Sequence, residues 1–318
     1  MTKQWKRRSV KVFAPATIAN LGSGFDVLGI AIDRPGDVVV AQRREQPGLA
    51  FSVHTTIPDV PVNPLSNVAA HVAQLMLEEF KPPFGISMVL HKKMPLGSGL
   101  GSSAASSVAS VVAVNALLQK PFKKKELLRF AVEGERKASG SPHADNAAPS
   151  LLGGACLIRS YSPLDVIEIP IVNSIVWVVV HPHLSVRTEA ARNILPKAIT
   201  LEMAIHQWGN ISGLTVGLAT GDPRLVGTCV EDQIVEPVRG NLIPGFHEVK
   251  EAALNAGAYG CTISGSGPSV FAVTSSFRKA RHIGSLMAHT FLSATGIASD
   301  VVLSRINTRG AYILKQEP

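Results

Sequence analysis

The residues best suited to chemistry are a run of small side chains, PLGSGLGSSAA, at residues 95–105. Its alternate glycines would let the backbone turn tightly and approach a ligand closely. The residues that follow are small or apolar at helical spacing, so the run opens a helix predicted over 102–118. The N-terminus of such a helix directs unpaired N–H groups at an anion, and Ser102 and Ser103 add hydroxyls that could bind a phosphate or Mg²⁺. The predicted phosphate-binding residues are Pro95, Leu96, Gly97, Ser98, Gly99, Leu100, Gly101, Ser102, Ser103, Ala104 and Ala105.

This loop matches neither of the two common nucleotide-binding motifs. A P-loop requires a lysine after its last glycine, and the glycine spacing also differs from GxGxxG. The alternative interpretation is a flexible linker. That alternative is weak, because linkers do not lie directly between a strand and a helix with a small-residue face.

Length and composition favour a protein of two packed domains. The chain has 318 residues, of which 46% are hydrophobic and 17% charged, so it can bury a large core. Its net charge of +8 is concentrated in two basic runs, at residues 3–11 and 120–125. These runs could attract a polyanionic substrate, but neither carries the signature of a nucleic-acid module. A solvated basic surface is therefore expected, and no nucleic-acid partner is predicted.

The cysteines and the N-terminal segment favour a cytoplasmic protein. Cys156, Cys229 and Cys261 show no CxxC or zinc spacing, so reduced thiols are expected. The N-terminal sequence MTKQWKRRSVKVFAPA lacks the long apolar stretch and cleavage site of a secretory signal. No apolar run approaches the roughly 18 residues of a membrane span, so no membrane partner is predicted.

Strands and helices alternate without a steady repeat, which indicates two layered α+β or α/β halves. In the first half, strands are predicted at 10–13, 37–43, 49–54, 86–91, 156–159 and 166–169, with a turn-rich segment at 14–24. The helices of this half are predicted at 66–80, 102–118, 123–138 and 145–151. In the second half, strands at 175–181, 260–263, 269–274 and 301–306 accompany helices near 187–195 and at 201–218, a further element at 223–230, and helices at 247–256 and 278–292. A turn-rich boundary at 160–163 divides the chain into predicted domains 1–162 and 163–318.

Three motifs, in this order, resemble those of the GHMP kinases, the family of galactokinase, homoserine kinase, mevalonate kinase and phosphomevalonate kinase. They are KVFAPAT at 11–17, PLGSGLGSSAA at 95–105 and ISGSGPS at 263–269. The resemblance implies an α+β fold with a ribosomal S5 domain 2-like N-terminal domain and a ferredoxin-like C-terminal domain. It also implies that ATP and an alcohol substrate meet in the cleft between the two domains.

Four further segments, at 19–29, 139–149, 188–196 and 236–239, resemble those of the homoserine kinases within this family. The implied reaction is the phosphorylation of L-homoserine by Mg-ATP to O-phospho-L-homoserine, a step of threonine biosynthesis. A homodimer is also plausible by this resemblance, although the sequence itself shows no interface.

An amino-acid substrate needs an anion for its ammonium group and a cation for its carboxylate. Asp26 fits the first role, and Arg192 and Arg239 fit the second through forked hydrogen bonds. Asn20 and Asn146 can hydrogen-bond the polar groups of the substrate, and the resemblance puts Asn146 at the reacting hydroxyl. Taken singly, Asp26 could equally be a turn residue and an arginine a surface charge.

The resemblance makes Glu135 the carboxylate ligand of Mg²⁺ and Ser103 its hydroxyl ligand. This pair suits Mg²⁺ on ATP, because that ion usually takes one or two protein oxygens besides phosphates and waters. The alternative for Glu135 is a solvated charge on a helix surface.

Phosphoryl transfer needs positioning and charge stabilisation more than a strong base. Some members of the family use an aspartate as base, and Asp145 is the candidate here. Homoserine kinases are thought to work without one, so Asn146 is expected to orient the hydroxyl. The nearby His143 is expected to be a packed or capping residue.

Two other functions stay open at this point. A related kinase for another small alcohol, such as mevalonate, would not use Asp26, Arg192 and Arg239 for its substrate. A catalytically dead member could bind a nucleotide or metabolite as a sensor. The presence of both Glu135 and Ser103 argues against the sensor, since a dead member has no need of Mg²⁺ ligands.

Overall fold

The computed structural model describes residues 7–119 and 121–314. Of the two basic runs, Lys3, Lys6 and Lys120 lie outside the described residues. The described cations of both runs are exposed, as a solvated basic surface requires; they are Arg7, Arg8, Lys11, Lys123, Lys124 and Lys125.

The chain folds into a first group of mixed elements followed by a second one. The first group is β1 (Ser9–Ala19), β2 (Leu28–Arg44), β3 (Leu49–Thr55), α1 (Val68–Phe80), β4 (Gly85–Lys92), α2 (Ser102–Leu117), α3 (Leu128–Ser139), α4 (Ala144–Leu152), β5 (Ala155–Tyr161) and β6 (Leu164–Ile169). The second group is β7 (Val176–Pro182), α5 (Thr188–Asn193), α6 (Leu201–Thr220), α7 (Pro223–Cys229), α8 (Glu236–Arg239), α9 (Phe246–Asn255), β8 (Gly260–Ile263), β9 (Val270–Thr274), α10 (Phe277–Thr295), β10 (Ser299–Ser304) and β11 (Tyr312–Ile313).

The described strands form two sheets, and the molecule is an α+β protein of two domains. The larger sheet has the order β11-β1-β2-β4-β3, with β5 on β2 and β6 on β5. The long strand β2 connects the two parts of the larger sheet: its residues 38–44 pair with β4, and its residues 28–30 pair with β5. Helices α2 and α4 pack on β1 and β2, and α1 and α3 pack against α2.

The smaller sheet has the order β10-β7-β9-β8, and its strands β7, β8 and β9 are buried throughout, whereas the edge strand β10 is partly exposed. Its central strand β7 is apolar and buried throughout, so its side chains alternate between two cores. Val178 packs with α9 and α10 in one core, whereas Trp177 and Val179 belong to the core that is shared with the larger sheet. The two domains are therefore packed through a common apolar core.

The small side chains of α2 allow its neighbours to approach closely. Almost every residue of α2 is buried, and most are alanine, serine or valine. On the facing helix α3, a Cβ added to Gly134 would lie 2.1 Å from Ser107 Oγ. This close packing of α3 on α2 brings the residue after Gly134 towards the first turn of α2.

Two strands are longer than predicted. β1 continues to Ala19, so the predicted turn at 14–24 is wrong for residues 14–19. Pro15 lies at a shift of register against β2, where a strand tolerates proline. β2 begins at Leu28 rather than residue 37, because the turn-like residues 34–36 lie within the strand. The two-residue strand β11 and the four-residue helix α8 were not predicted.

The predicted domain boundary at residues 162 and 163 falls in the turn between β5 and β6, which pair with each other in the larger sheet. A division along the sheets would fall after Ile169, and the division at 162 stays a prediction.

Within the described residues, no helix combines the length and apolar character that crossing a membrane requires.

Candidate active site

The glycine run forms a tight loop between β4 and α2. Gly99 and Gly101 have φ values of 76° and 65°, a conformation that favours glycine. A Cβ at Gly99 would lie 2.4 Å from the Ser264 carbonyl oxygen, and one at Gly101 would lie 2.1 Å from Thr17 Oγ1. Both positions therefore need glycine for space as well as for conformation.

The other two motifs hold this loop from both sides. The Ser264 hydroxyl donates to the Gly99 carbonyl at 2.7 Å, and the Ser269 hydroxyl donates to the Ser98 carbonyl at 2.6 Å. From β1, the Thr17 N–H donates to the Leu100 carbonyl at 3.1 Å. The loop and the first turn of α2 line a cleft of about 1130 Å³, large enough for a nucleotide and a second small molecule.

A buried ion pair fixes the start of α2, and sequence reasoning missed it. Lys92 Nζ contacts the Asp37 carboxylate and donates to the Ser102 carbonyl at 2.8 Å. Asp37 also accepts the Lys93 N–H at 2.9 Å and the Ser106 hydroxyl at 2.7 Å. The sequence carries no signal for this pair, because its partners lie 55 residues apart on different strands.

Glu135 is buried on α3 and faces the start of α2. Burial raises the pKa of its carboxyl to about 7, while a hydrogen bond with the Ser103 side chain and the positive charge of Lys92 act in the opposite direction. Its Oε1 has no hydrogen-bond partner among the described residues. The solvated alternative for Glu135 is thus wrong, and an unpartnered carboxylate oxygen beside a serine hydroxyl could hold a cation.

Among the described residues, no larger metal cluster accompanies this pair. In residues 7–119 and 121–314, no group of three or more His, Cys, Asp or Glu side chains is placed to hold an ion. A cation at Glu135 and Ser103 would therefore need further oxygen ligands from a bound molecule or from water.

The predicted substrate residues meet in the same cleft, beside the β8–β9 turn that contacts the loop. Arg192 Nη2 donates to both carboxylate oxygens of Asp26 at 2.9 Å. Arg239 is buried, and it donates from Nε to the Ala191 carbonyl and from Nη1 to the Gly265 carbonyl, both at 3.0 Å. The two guanidinium groups lie over the ring of Phe25, 5.6 and 5.0 Å from its centroid.

His143 lies behind this pair. Burial lowers the pKa of its ring to about 4, so the imidazole is neutral at neutral pH. Because arginine can only donate, the contact of 2.9 Å with Arg192 Nη2 makes Nε2 the acceptor, and Nδ1 then donates to Ser139 Oγ at 2.9 Å. The packed interpretation of His143 is confirmed, but its side chain makes no helix-capping bond.

The loop that carries Asp26 is held in an unusual conformation. Asp26 has φ 61°, and Asn20 Oδ1 accepts its N–H at 3.0 Å. The amide nitrogen of Asn20 donates to the Gly265 carbonyl at 2.9 Å. The Tyr161 hydroxyl donates to the Asp26 carbonyl at 2.7 Å. Tyr161 was not predicted, because it lies at the end of β5, outside every motif.

Asp145 and Asn146 stand in the first turn of α4. The Thr17 hydroxyl donates to Asn146 Oδ1 at 2.7 Å, which turns the Nδ2 donors towards another acceptor. Burial first, and then the charges of Asp26 and Glu135, raise the pKa of Asp145 to about 8. Its Oδ1 has no hydrogen-bond partner within the described part of the chain.

The structure thus brings most of the predicted site residues to one cleft, whereas Leu100, Ala104 and Ala105 are buried and do not line it. Asn20, Asp26, Glu135, Asp145, Asn146, Arg192, Arg239 and most of the loop 95–105 line it. Asp26 is more than a turn residue, and Arg239 is not a surface charge. Thr17 lies within the motif at 11–17, so the sequence could have indicated it as a site residue. Lys92 and Tyr161 lie outside every motif, and the sequence gives no indication of their contacts.

Two family models match the chain. The model of the GHMP kinases N terminal domain matches residues 67–154, and that of the GHMP kinases C terminal domain matches residues 214–289. A homoserine kinase of Chlorobium phaeovibrioides is 48% identical over 319 residues, covering 96% of this chain and 100% of the relative. A homoserine kinase of Methanococcus maripaludis is 40% identical over 268 residues, covering 84% of this chain and 88% of the relative.

Solved structures show the same similarity. The crystal structure of homoserine kinase from Cytophaga hutchinsonii has a TM-score of 0.93 and 48% identity, and covers 99% of this chain and 100% of that one. L. major mevalonate kinase in complex with R-mevalonate has a TM-score of 0.72 at 17% identity, covering 94% of this chain and 96% of that one. The second likeness concerns the fold alone.

Proposed function

The chain belongs to the GHMP kinase family, and we propose that it transfers the γ-phosphoryl group of ATP to the side-chain hydroxyl of L-homoserine. The product would be O-phospho-L-homoserine, an intermediate of threonine biosynthesis. The observation that carries this proposal is one cleft lined both by a phosphate loop and by an acidic and two basic side chains. The high identity to homoserine kinases over the whole chain supports the same substrate.

ATP would bind with its phosphates at residues 95–105. The N-terminus of α2 presents N–H groups and the positive dipole end to the phosphates, where charge develops during transfer. The buried pair of Asp37 and Lys92 would keep this helix terminus in place, since Lys92 donates to the Ser102 carbonyl.

Ser103 and Glu135 would hold Mg²⁺. The unpartnered Oε1 and the adjacent hydroxyl fit a hard cation that completes its shell with phosphate and water oxygens. When bound, Mg²⁺ neutralises negative charge on the phosphates.

Homoserine would bind as a zwitterion beside the phosphate loop. Asp26 would accept its ammonium group, and Arg192 and Arg239 would bind its carboxylate. Asn20 fixes the Asp26 loop and can contribute a further hydrogen bond. The neutral His143 ring and Phe25 position the two arginines.

Asn146 would orient the reacting hydroxyl. The Thr17 hydroxyl already donates to its Oδ1, so its Nδ2 group is left to donate to the substrate. Asp145 is poorly suited as a base in the free protein, because a pKa of about 8 keeps most of its carboxyl protonated at neutral pH. We therefore assign the main catalytic contribution to positioning by Asn146 and to charge stabilisation at α2 and at the Glu135 site.

We also propose a cytoplasmic location, which the buried free thiols of Cys156, Cys229 and Cys261 support. No particular observation favours a different alcohol substrate or a sensor.

An ADP-release assay tests the function directly. Purified protein with Mg-ATP would be offered L-homoserine, L-threonine, L-serine, mevalonate and galactose in parallel. We expect release with a strong preference for L-homoserine. Release of ADP with mevalonate or galactose instead would agree with the family but contradict L-homoserine as the substrate. ATP binding without ADP release would favour the sensor.

A further inference from the structure

Ser139 is the last residue of α3, and its side chain connects this helix to the substrate residues. Its Oγ lies 3.0 Å from the Glu135 carbonyl oxygen, one turn back in α3, and 2.9 Å from Nδ1 of His143. On the other side of that ring, Nε2 lies 2.9 Å from Arg192 Nη2. The four residues thus form a continuous chain of hydrogen bonds, in which the proposed reaction gives Ser139 no role of its own.

The chemistry of the two ends fixes the direction of every bond in this chain. Arginine can only donate, so Nε2 of His143 is the acceptor, and the single N–H of the neutral ring is on Nδ1. This N–H donates to Ser139 Oγ. The Ser139 hydroxyl then directs its own proton to a carbonyl oxygen, that of Glu135 at 3.0 Å or that of Ser141 at 3.4 Å. The opposite tautomer would place an N–H of the ring against an N–H of Arg192.

The Ser139 hydroxyl therefore selects the tautomer of His143. Which nitrogen of a histidine ring carries the proton is set by the hydrogen bond that the other nitrogen makes. His143 is buried, and without the hydroxyl its Nδ1–H would lose this acceptor inside the protein, which costs free energy. Moving the proton to Nε2 would remove that cost, but the ring could then no longer accept a hydrogen bond from Arg192.

The bond from Arg192 to His143 can persist when a substrate binds. Nη2 has two hydrogens and three acceptors, which are the two carboxylate oxygens of Asp26 and Nε2 of His143, each at 2.9 Å. Under the proposed function, the contacts with Asp26 are exchanged for contacts with the substrate. The contact with His143 involves no group that is assigned to the substrate, so it can hold the guanidinium group in both states.

We propose that Ser139 is a positioning residue for the amino-acid substrate: its hydroxyl holds the His143 ring in the Nδ1–H tautomer, and the ring holds Arg192 where the substrate carboxylate binds. This role rests on the proposed function, because Arg192 binds a carboxylate only if the substrate carries one. Ser139 acts through His143, so its loss should weaken the binding of L-homoserine and leave the transfer step unchanged.

Nitrogen NMR of the ligand-free protein with ¹⁵N-labelled histidine tests the tautomer without any turnover. The His143 signals are identified by their absence in His143→Asn. At neutral pH the wild-type ring should show a protonated Nδ1 and an unprotonated Nε2, since burial lowers its pKa to about 4. Ser139→Ala should move the proton to Nε2. Ser139→Thr should not, because threonine keeps a hydroxyl that can reach the same carbonyl. A ring that keeps its Nδ1–H in Ser139→Ala would overturn the proposal.

Steady-state kinetics tests the effect on the substrate. Ser139→Ala should raise the KM for L-homoserine about fivefold, a loss typical of one hydrogen bond, with kcat and the KM for ATP nearly unchanged. Ser139→Thr should restore the KM of the wild type. Ser212→Ala is the matched control, because Ser212 also donates to the carbonyl four residues back, that of Trp208 at 2.7 Å, and no described residue of α6 lines the cleft.

The two measurements separate this role from the proposed function. An unchanged KM for L-homoserine in Ser139→Ala would overturn the role of Ser139 even if the tautomer changed, and would leave the proposed function intact. Wild-type protein that turns over no L-homoserine would contradict the proposed function, and the role of Ser139 in substrate binding with it.

Discussion

Arg192 illustrates how single residues decide this site. In the structure, its guanidinium group is bound to Asp26, yet under the proposed function each of them binds an opposite end of the substrate. A zwitterion can replace both contacts at once, since it offers a carboxylate to Arg192 and an ammonium group to Asp26. A ligand with one of these charges would leave the other side chain uncompensated, which favours amino acids over simple alcohols.

Arg192→Ala should therefore raise the KM for L-homoserine by about 100-fold, on the scale of losing one charged partner at a partly buried site. The KM for ATP should stay close to that of the wild type. Steady-state kinetics with each substrate varied in turn measures both. Lys197→Ala, an exposed cation of the same segment, is the control and should behave as wild type. Loss of ATP binding in the Arg192 variant would instead place this residue in the nucleotide site or in the fold.

The raised pKa of Asp145 predicts that the stability of the protein depends on pH. Its pKa is raised from 3.8 to about 8 in the folded protein, so the folded state binds more protons than the unfolded state between these values. The contribution of Asp145 to the free energy of unfolding is greatest below about pH 4 and is lost as the pH rises to about 8.

Asp145→Asn removes this titration while keeping the size of the side chain. At pH 9 we expect the variant to exceed the wild type in free energy of unfolding by roughly 2 to 5 kcal/mol, and at pH 4 to match it within about 1 kcal/mol. Denaturant unfolding of the ligand-free protein at both pH values measures the difference. An equal difference at both values would show that the Asp145 carboxyl is not a buried neutral group.

At the scale of elements, the phosphate loop depends on close contact between the ends of several strands. The β8–β9 turn touches the loop through serine hydroxyls, and β1 touches it through Thr17. The three sequence motifs are therefore neighbours in space: the loop 95–105 follows β4, the motif 263–269 joins β8 to β9, and the motif 11–17 lies within β1 beside the loop.

Gly99→Ala should abolish measurable ATP binding, because its Cβ would lie 2.4 Å from a backbone oxygen that cannot move alone. Gly296→Ala provides a matched control. It also has a positive φ, of 74°, but its Cβ would meet nothing within 4 Å, so it should cost about 1 kcal/mol of stability and leave ATP binding unchanged. Fluorescent-nucleotide titration and a thermal melt separate the two effects. Normal ATP affinity in Gly99→Ala would show that the loop can relax around the new methyl group.

The hairpin of β5 and β6 contributes through the Tyr161 hydroxyl, which donates to the Asp26 carbonyl. Tyr161→Phe removes that bond and keeps the ring, so the Asp26 loop should lose its fixed position. We expect the KM for L-homoserine to rise about fivefold, a loss typical of one hydrogen bond, with kcat and the KM for ATP nearly unchanged. Tyr259→Phe, which loses a hydroxyl contact to Ser275 far from the cleft, is the control. A drop in kcat alone would place Tyr161 in the chemical step.

For the whole molecule, the shared core predicts cooperative unfolding. Trp177 and Val179 of the smaller sheet belong to the same core as the strands of the larger sheet, so one domain cannot unfold without exposing apolar surface of the other. Circular dichroism and tryptophan fluorescence should report one coincident transition in denaturant. Two separate transitions would mean that the domains are stable independently.

Much of this architecture could be predicted from the sequence, and the exceptions have physical reasons. Helices with regular apolar spacing and capping residues, such as α1 with Asn67 at its start, lie close to the predicted bounds. β1 and β2 were predicted too short, because proline and glycine usually end strands and here occupy a register shift and a bend. The predicted substrate and metal residues line the cleft, and their roles stay predictions, whereas Lys92 and Tyr161 act through partners that are distant along the chain.

The position of β11 has a consequence for the synthesis of the protein. This strand pairs with β1 at the edge of the larger sheet, although some 290 residues separate them along the chain. On the ribosome, β1 is completed some 290 residues before β11, and β11 cannot cover its outer edge during that interval. The nascent chain thus presents an open strand edge while those residues are translated, and such an edge can pair with other nascent chains.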